Sequence, residues 1–336
     1  MSVSSVTLCS FPERASPRDY AEAAGELEGL LVELPGALAV YRFGNVGAPG
    51  ISDLDRLVVV ERPDAVPDVW NRLSARTRYL ALHSAFLLDP QTFAGHRWLS
   101  DIGPLDLAWG DALGIDERPA AQDCEALIAA ENLLVTLLKL DKLATTRRAK
   151  VRSLLCELNT VRFDLELAGI DRLAAPTAWE LVDHVAALRD GWWTLEEEAR
   201  ISRFRRLLRI ARPGVQNALT AVGTRYAEGA GVRKLPLRAE WRRVTLIPVN
   251  ASTNGGFRTR PHLIGRSRRL GEALWRAFPR RVEAPAAALE LVGGATGPDQ
   301  REFRTEREEI VRKYDKLVSE APGYSSISAA RVFLQS

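Results

Sequence analysis

Residues 41–60 read Tyr-Arg-Phe-Gly-Asn-Val-Gly-Ala-Pro-Gly-Ile-Ser-Asp-Leu-Asp-Arg-Leu-Val-Val-Val, and they contain the strongest structural signal of the chain. The apolar runs 37–43 and 57–60 are predicted to be neighbouring buried strands, with three glycines in the connection between them. Side chains two residues apart in a strand point to the same side, so Asp53 and Asp55 are expected to share one face. Two adjacent carboxylates repel each other unless a cation lies between them, and the pair predicts a Mg²⁺ site.

At these residues the chain resembles the DNA polymerase β-like nucleotidyltransferase superfamily. The signature of that superfamily is an apolar residue with Gly-Ser or Gly-Gly, a short variable stretch, and Asp-x-Asp on the next strand. Here Phe43-Gly44-Asn45 is followed by Asp53-Leu54-Asp55. Asn45 stands where the family usually has serine, and the stretch between Asn45 and Asp53 is shorter than usual. The resemblance rests on one motif in the first third of the chain.

The resemblance implies a Mg-dependent nucleotidyltransferase that moves a nucleoside monophosphate from a nucleoside triphosphate, such as ATP, to an acceptor hydroxyl or phosphate. Asp53 and Asp55 would then hold one or two Mg²⁺ ions that bridge the triphosphate. Gly44, Asn45 and Ser52 are expected to contact the nucleotide, since a glycine lets backbone N–H groups approach a phosphate closely.

A third carboxylate on a later strand usually completes the metal site in this superfamily. Asp106, within the stretch 104–109 (Pro-Leu-Asp-Leu-Ala-Trp), is the predicted third ligand or base, and Asp101 and Asp111 are its rivals. The four histidines show no spacing typical of a zinc site, and each is predicted to be a surface or packing residue.

Other interpretations of the 41–60 stretch remain open. Asp-x-Asp after Gly-Ala-Pro-Gly is also typical of a solvated turn that precedes a strand. A non-catalytic nucleotide-sensing or partner-binding module of the same fold would carry the same residues. The dinucleotide-binding alternative is disfavoured because no helix pattern follows the glycines. The lack of a Gly-Lys-Ser/Thr sequence excludes a Walker-type phosphate loop.

Around this stretch the sequence predicts an α/β (α+β) fold in three parts. These are a nucleotidyltransferase-like mixed sheet over 1–120, a helical domain over 121–230, and a basic mixed α/β region over 231–336. In the first part the pattern predicts a helix at 18–32, strands at 37–43 and 57–60, a second helix at 67–77, and strands at 79–88 and 105–109. Later helices are predicted over 124–143, 146–168, 178–190 and 195–211. Trp192 and Trp193 are expected to anchor the junction between the last two of these helices. An exposed helix is predicted over 300–316, and a partly ordered tail is predicted from 322.

The net charge of +3 is unevenly distributed. Residues 201–281 contain 19 arginine or lysine residues and three acidic residues, a local balance of +16, so the rest of the chain carries −13. This asymmetry predicts an anionic partner, and Arg266 and Arg268 are expected to contact nucleotide phosphates. Nucleic acid is a less favoured partner because aromatic residues are sparse among the arginines. A solvated basic surface is the alternative, and the oligomeric state stays open.

Composition and length are typical of a globular protein with a core in each domain. The N-terminus has no basic start followed by a long apolar stretch, and no apolar run reaches membrane-spanning length, so the sequence predicts a cytoplasmic protein without a membrane partner. The three cysteines (Cys9, Cys124 and Cys156) form neither a disulfide framework nor a zinc spacing.

Overall fold

The computed structural model describes residues 6–63, 66–100, 102–115, 122–230, 237–241, 244–245 and 286–289, and, near the C-terminus, residues 307, 309–311, 313–314, 316–318, 321, 323–325 and 327. The fold is mixed α/β. The chain divides into two compact units. The sheet unit contains the described residues of Pro12–Ala120 and Phe303–Arg331, and the helical unit those of Met1–Phe11 and Ala121–Glu302. The three-part division stays a prediction.

The sheet unit is built on four strands in the order β4-β3-β2-β5. Their bounds are Ala37–Phe43 (β2), Asp55–Val60 (β3), Phe86–Leu88 (β4) and Asp106–Gly110 (β5). β2 is antiparallel to both of its neighbours, and β3 is parallel to β4. The side chains of residues 57–60 are fully buried, as expected for a central strand that is covered on both faces.

Helix α1 (Pro17–Val32) begins where the sequence provides a strong start signal. The Ser16 side chain accepts from the backbone of Asp19 and the Asp19 side chain accepts from that of Ser16, which is a complete capping box. Pro17 occupies the first helical position, where its missing N–H costs nothing. Tyr20, Ala23, Leu27 and Leu31 recur every three or four residues and form the buried side of the helix.

The segment between β3 and β4 differs from the prediction. Helix α2 spans Ala75–Ala81, so the predicted helix at 67–77 starts too early and the predicted strand at 79–88 is wrong except for β4. The start is shifted because Ser74 caps the helix by accepting from the backbone of Thr77. Helix α3 (Pro90–Ala94) and short 3₁₀ turns at Trp70–Arg72 and His96–Trp98 complete this part of the unit.

Residues near the C-terminus pack within the sheet unit. The described residues between 307 and 318 are helical, and Val311, Tyr314 and Leu317 among them are buried. Ser325 pairs with Phe86 in an isolated parallel bridge at the edge of β4. The predicted helix is present among the described residues, but the prediction that it is exposed is wrong, because the apolar side chains on one face of this charged segment are buried. The partly ordered tail from 322 stays a prediction.

The helical unit contains four helices among its described residues. They are α4 (Gln122–Thr146), α5 (Val151–Leu167), α6 (Pro176–Asp190) and α7 (Glu197–Ala230). α4 and α6 lie within three residues of their predicted bounds, whereas α5 begins five residues later than predicted because residues 148–150 form a short strand. α7 extends well past residue 211 with Pro213 inside it, and Val215 and Val222 beyond the proline are fully buried. Of the two tryptophans predicted to anchor the junction of α6 and α7, Trp192 is buried and Trp193 is half-buried.

Two small sheets complete this unit. β1 (Thr7–Cys9) is parallel to β6 (Arg148–Lys150), and β7 (Leu237–Trp241) lies between β8 (Val244–Thr245) and β9 (Ala286–Leu289). Within the described ranges, no helix combines the length and the apolar character needed to cross a membrane.

Candidate metal centre

The loop of residues 44–52, which joins β2 to β3, is fixed by two tyrosine hydroxyls. The Tyr20 hydroxyl accepts from the Gly50 N–H at 2.9 Å and donates to the Ser52 carbonyl at 2.8 Å. The Tyr79 hydroxyl donates to the Gly50 carbonyl at 2.8 Å. One tyrosine comes from α1 and the other from α2. The end of the loop, and with it the start of Asp53-Leu54-Asp55, is therefore held in place by both helices.

Asp53 and Asp55 lie close together, but not for the predicted reason. β3 begins at Asp55, so Asp53 precedes the strand and the alternation of strand side chains does not apply to it. The extended segment is held instead by the Leu54 N–H, which donates to the Leu80 carbonyl at 3.2 Å. One ligand atom from each of Asp53, Asp55 and His83 lies within 4.8 Å of the other two. Among the described residues this is the one such group of three.

His83 reaches this cluster through a tight turn at the end of α2. Leu82 has φ 64° and ψ −38°, and the His83 N–H donates to the Ala81 carbonyl at 2.7 Å. This hydrogen bond between residues two apart, with a positive φ at the centre, is the rare and strained form of the γ-turn. A residue that is not glycine adopts such a backbone only when its surroundings hold it there. The turn reverses the chain between α2 and β4 and directs His83 toward the start of β3.

The two ring nitrogens of His83 have different partners. Nδ1 lies 2.8 Å from the Ser84 carbonyl oxygen, and Nε2 lies 3.1 Å from Oδ1 of Asp55. A carbonyl oxygen can only accept, so Nδ1 carries a hydrogen and donates it. The imidazole ring packs against the Phe86 ring with 5.0 Å between the ring centroids. One third of the His83 side chain and 19% of the Asp55 side chain remain exposed, so small ions and water can reach the cluster.

Opposing effects act on the pKa of His83. Burial lowers this pKa, while the hydrogen bond and charge of Asp55, the Ser84 carbonyl and the charge of Asp53 raise it. The second group of effects is the stronger, so the pKa of His83 lies above its ordinary value. The carboxylates therefore favour a positive charge at the Nε2 position, and a proton and a metal ion both supply one.

Gly44 is required at its position by the backbone and by Asp55. Its φ is +77°, a conformation that residues with a side chain rarely adopt. A Cβ atom there would lie 3.1 Å from Oδ2 of Asp55. The absence of a side chain at residue 44 thus leaves space directly beside the carboxylate. Gly44 and Asn45 are both exposed, which is compatible with the predicted contact to a nucleotide.

Ser52, in contrast, is buried within the loop. Its hydroxyl accepts from the Ala48 N–H at 3.0 Å, and the Ser52 N–H donates to the Ala48 carbonyl at 2.8 Å. The structure thus gives Ser52 a part in shaping the loop, and its predicted contact with the nucleotide has no exposed hydroxyl to support it.

The structure does not bring Asp106 to the aspartate pair. In the sheet register Phe43 is opposite Asp55, whereas Arg42 is opposite both Arg56 and Asp106. Opposite residues of antiparallel strands share a face. Asp106 therefore lies on the face of Arg42 and Arg56, and Asp55 lies on the other face.

The other predicted site residues are placed as follows. Asp111 is exposed and follows β5. The rival Asp101 and the predicted phosphate contacts Arg266 and Arg268 lie outside the described residues.

Sequence reasoning missed His83. The residue lies 28 positions after Asp55, and the two meet because β3 and β4 are parallel neighbours, with Leu57 paired to Phe86. A parallel pair needs a crossover, so its partners have no short spacing in the sequence. The sequence offered no signal for this position, because His83 lies inside the strand that was predicted at 79–88 and only the structure places it between α2 and β4.

Comparison of the chain with protein-family models, with curated proteins and with solved structures gives no match in any of the three. The resemblance to the nucleotidyltransferase superfamily therefore rests on the residues of the β2-β3 connection. What the arrangement can do chemically follows from the geometry of Asp53, Asp55 and His83.

Proposed function

We propose that this protein is a metal-dependent nucleotidyltransferase. The observation that carries the proposal is the convergence of Asp53, Asp55 and His83 beside Gly44, at the end of the connection between two sheet strands. Carboxylate oxygens and an imidazole nitrogen are ligands of divalent metal ions. Ligands at about 2.1 Å from a metal are at most about 4.2 Å apart, so small side-chain movements bring the three groups into one coordination sphere.

Asp53, Asp55 and His83 would hold a metal ion at this position, and that ion would supply the positive charge that a nucleoside triphosphate needs for transfer of its nucleotidyl group. In the proposed reaction an acceptor oxygen attacks the α-phosphorus, and the bond from that phosphorus to the oxygen leading to the β-phosphorus breaks. Pyrophosphate leaves with the electron pair of that bond, and the acceptor proton passes to water. Asp53 and Asp55 would hold the ion, and the exposed backbone at Gly44 with the amide of Asn45 would contact the phosphates.

The acceptor and the remaining phosphate contacts stay predictions. Basic side chains of residues 201–281 are expected to contact either the triphosphate or an anionic acceptor, because the positive charge of the chain is concentrated in that segment. Arg266 and Arg268 belong to that segment. A small hydroxyl-bearing or anionic acceptor is favoured over nucleic acid, because aromatic residues that could stack on bases are scarce among the arginines of this segment.

A specific observation favours a second candidate, a non-catalytic module that binds a metal-nucleotide complex. Among the described residues the third member of the cluster is an imidazole, and no third carboxylate joins it. Asp106 lies on the other face of the sheet. A site with two carboxylates holds fewer negative charges for a second metal ion, and two-metal catalysis depends on such charges. Binding and turnover must therefore be measured separately.

The test combines a binding measurement with a transfer assay. Calorimetric titration of each nucleoside triphosphate with Mg²⁺ or Mn²⁺ is compared between the wild type, the double variant Asp53→Asn with Asp55→Asn, and the control Asp106→Asn. The triphosphates carrying a label at the α-phosphate are then incubated with the protein and a metabolite extract. The enzyme proposal predicts metal-dependent binding and label transfer, both lost in the double variant and retained in Asp106→Asn. Binding without transfer supports the non-catalytic module, and absence of binding overturns both.

A further inference from the structure

The cluster of Asp53, Asp55 and His83 offers a mixed set of donor atoms. Two carboxylates supply hard oxygen ligands, which suit Mg²⁺ and Mn²⁺ alike. The third ligand is a nitrogen atom of an imidazole, which suits first-row transition ions and is a poor partner for Mg²⁺. Mg²⁺ also gives up its water reluctantly. The chemistry of the third ligand therefore discriminates between the two classes of ion.

The hydrogen bonds of His83 prepare its Nε2 atom for a metal. Because the Ser84 carbonyl accepts from Nδ1 at 2.8 Å, a neutral ring has its free electron pair on Nε2. That atom lies 3.1 Å from the Asp55 carboxylate. An electron pair that faces a carboxylate is stable only with a positive charge between them. Histidines that bind metals commonly donate their other ring N–H to a carbonyl in this way, which fixes the ring orientation.

Two further features keep the imidazole in this position. The strained turn at Leu82, with φ 64°, directs the ring toward the aspartates. The ring packs on Phe86, and Phe86 packs on Phe43 with 5.5 Å between the ring centroids. Apolar rings beside a metal site reduce the access of water and strengthen the interaction between the ion and its ligands. His83 is thus held by contacts that a solvated surface histidine lacks.

From these observations we infer that the site binds a first-row transition ion such as Mn²⁺ or Co²⁺ more tightly than Mg²⁺, with His83 as the ligand that sets this preference. The inference deepens the proposed function and rests on it for the role of the metal. Affinities for nitrogen-containing sites rise from Mn²⁺ to Co²⁺. We therefore expect Co²⁺ to bind at least as tightly as Mn²⁺, and both more tightly than Mg²⁺.

The experiment is a calorimetric titration of the metal-free protein with Mn²⁺, Co²⁺ or Mg²⁺ and no nucleotide. His83→Asn should weaken Mn²⁺ and Co²⁺ binding by at least about 10-fold, because the loss of an outer-shell partner alone costs roughly 10- to 100-fold, and it should weaken Mg²⁺ binding much less. His83→Asp gives the cluster a third carboxylate in place of the imidazole, so it should tighten Mg²⁺ binding and reduce the preference for Co²⁺. The matched control is His184→Asn, because the Nδ1 atom of His184 likewise lies near a backbone carbonyl, that of Glu180 at 3.0 Å, while His184 is half-buried on α6 and belongs to no metal-ligating group among the described residues. Metal affinity should be unchanged in the control.

The possible outcomes separate this inference from the proposed function. Equal affinity of the wild type for Mg²⁺ and Mn²⁺, an unchanged preference in His83→Asp, or no metal binding at all would overturn the inference. The absorption bands of bound Co²⁺ provide a second readout, because they should shift when His83→Asp replaces nitrogen by oxygen. Failure of nucleotide transfer by a protein that binds Mn²⁺ with the expected preference would contradict the proposed function and leave the metal assignment intact.

Discussion

The two faces of the four-stranded sheet use their charged residues differently. On one face the Glu28 carboxylate lies 2.7 Å from Arg42 Nη2 and 2.7 Å from Arg56 Nε, so one acid is paired with two guanidinium groups. At the end of the other face, two carboxylates from Asp53 and Asp55 meet a single imidazole. The first arrangement balances buried charge within the protein. The second concentrates negative charge, which a bound cation would balance.

This difference shows why a carboxylate in a sheet strand is not by itself evidence of a site. Asp106 is flanked by apolar residues, as a catalytic residue on a strand often is, but it lies opposite Arg42. The Glu28 hydrogen bond raises the pKa of Arg42, and the charge of Asp106 adds a smaller effect in the same direction. The position of an acid relative to arginines on the same face separates structural acids from candidate ligands.

The largest effect on stability is expected from Glu28→Ala. The variant leaves Arg56, with 6% of its side chain exposed, as an uncompensated buried charge. Breaking a buried pair by removing one partner costs about 3 kcal/mol. Glu22→Ala is the matched control, because Glu22 pairs with Arg18 in a solvent-exposed position on the same helix, and its loss should leave the free energy of unfolding nearly unchanged. Equal urea midpoints for the two variants would contradict the structural role of Glu28.

The pH dependence of stability gives a second test of Glu28. Burial raises the pKa of Glu28, but the hydrogen bonds and charges of Arg42 and Arg56 together lower it below the ordinary value. A lowered pKa in the folded state means that the carboxylate stabilises the protein above its unfolded pKa of about 4.3 and that this contribution is lost as pH falls. Urea unfolding between neutral and acidic pH should therefore show a smaller decline for Glu28→Gln than for the wild type.

Gly44→Ala is expected to have an intermediate effect on stability. The positive φ of residue 44 costs an alanine about 1–2 kcal/mol, and the new Cβ would crowd the Asp55 carboxylate. Gly47→Ala is the matched control in the same loop, because a Cβ atom there meets nothing within 4 Å. Urea unfolding should separate the two variants, and Mn²⁺ titration should show weaker binding for Gly44→Ala alone. Similar behaviour of both variants would show that residue 44 does not constrain the site.

The smallest effect is expected from Ser325→Ala near the C-terminus. The Ser325 hydroxyl lies 3.0 Å from that of Ser84, next to His83. The main-chain bond from Ser325 to the Ala85 carbonyl, at 3.0 Å, remains in the variant. Loss of one partly buried hydrogen bond costs about 0.5–1.5 kcal/mol. The exposed Ser202 provides the control variant Ser202→Ala. An equal free energy of unfolding for the two variants would show that the hydrogen bond between Ser84 and Ser325 does not stabilise the protein.

The sequence predicted the elements that carry strong local signals. β2 was predicted with its observed bounds and α1 within one residue, because a short apolar run and an amphipathic pattern that follows Ser16-Pro17 are local signals. The loop with Gly44 and the pair Asp53 and Asp55 was also found, since the motif is contiguous. These features depend on residues close together in the chain, and that is where pattern reasoning succeeds.

The features that escaped prediction depend on contacts between distant residues. The face on which Asp106 lies is set by the register between β2 and β5, and the register is not readable from the β5 sequence alone. His83 is brought to Asp55 by a parallel strand pair and by the positive φ of Leu82. A positive φ is rare for leucine, so the sequence gives no reason to predict it there. The packing of Tyr324, whose hydroxyl donates to the Pro67 carbonyl at 2.9 Å, joins residues 257 positions apart.

The central claim is that Asp53 and Asp55 form a metal site and that Asp106 does not belong to it. The most direct test is urea unfolding with and without Mn²⁺ for the wild type, for Asp53→Asn with Asp55→Asn, and for Asp106→Asn. At a Mn²⁺ concentration of about 100 times the dissociation constant, binding stabilises a folded protein by about 2.7 kcal/mol. We expect this stabilisation in the wild type and in Asp106→Asn, and none in the double variant. Equal stabilisation of the double variant, or its loss in Asp106→Asn, would contradict the account.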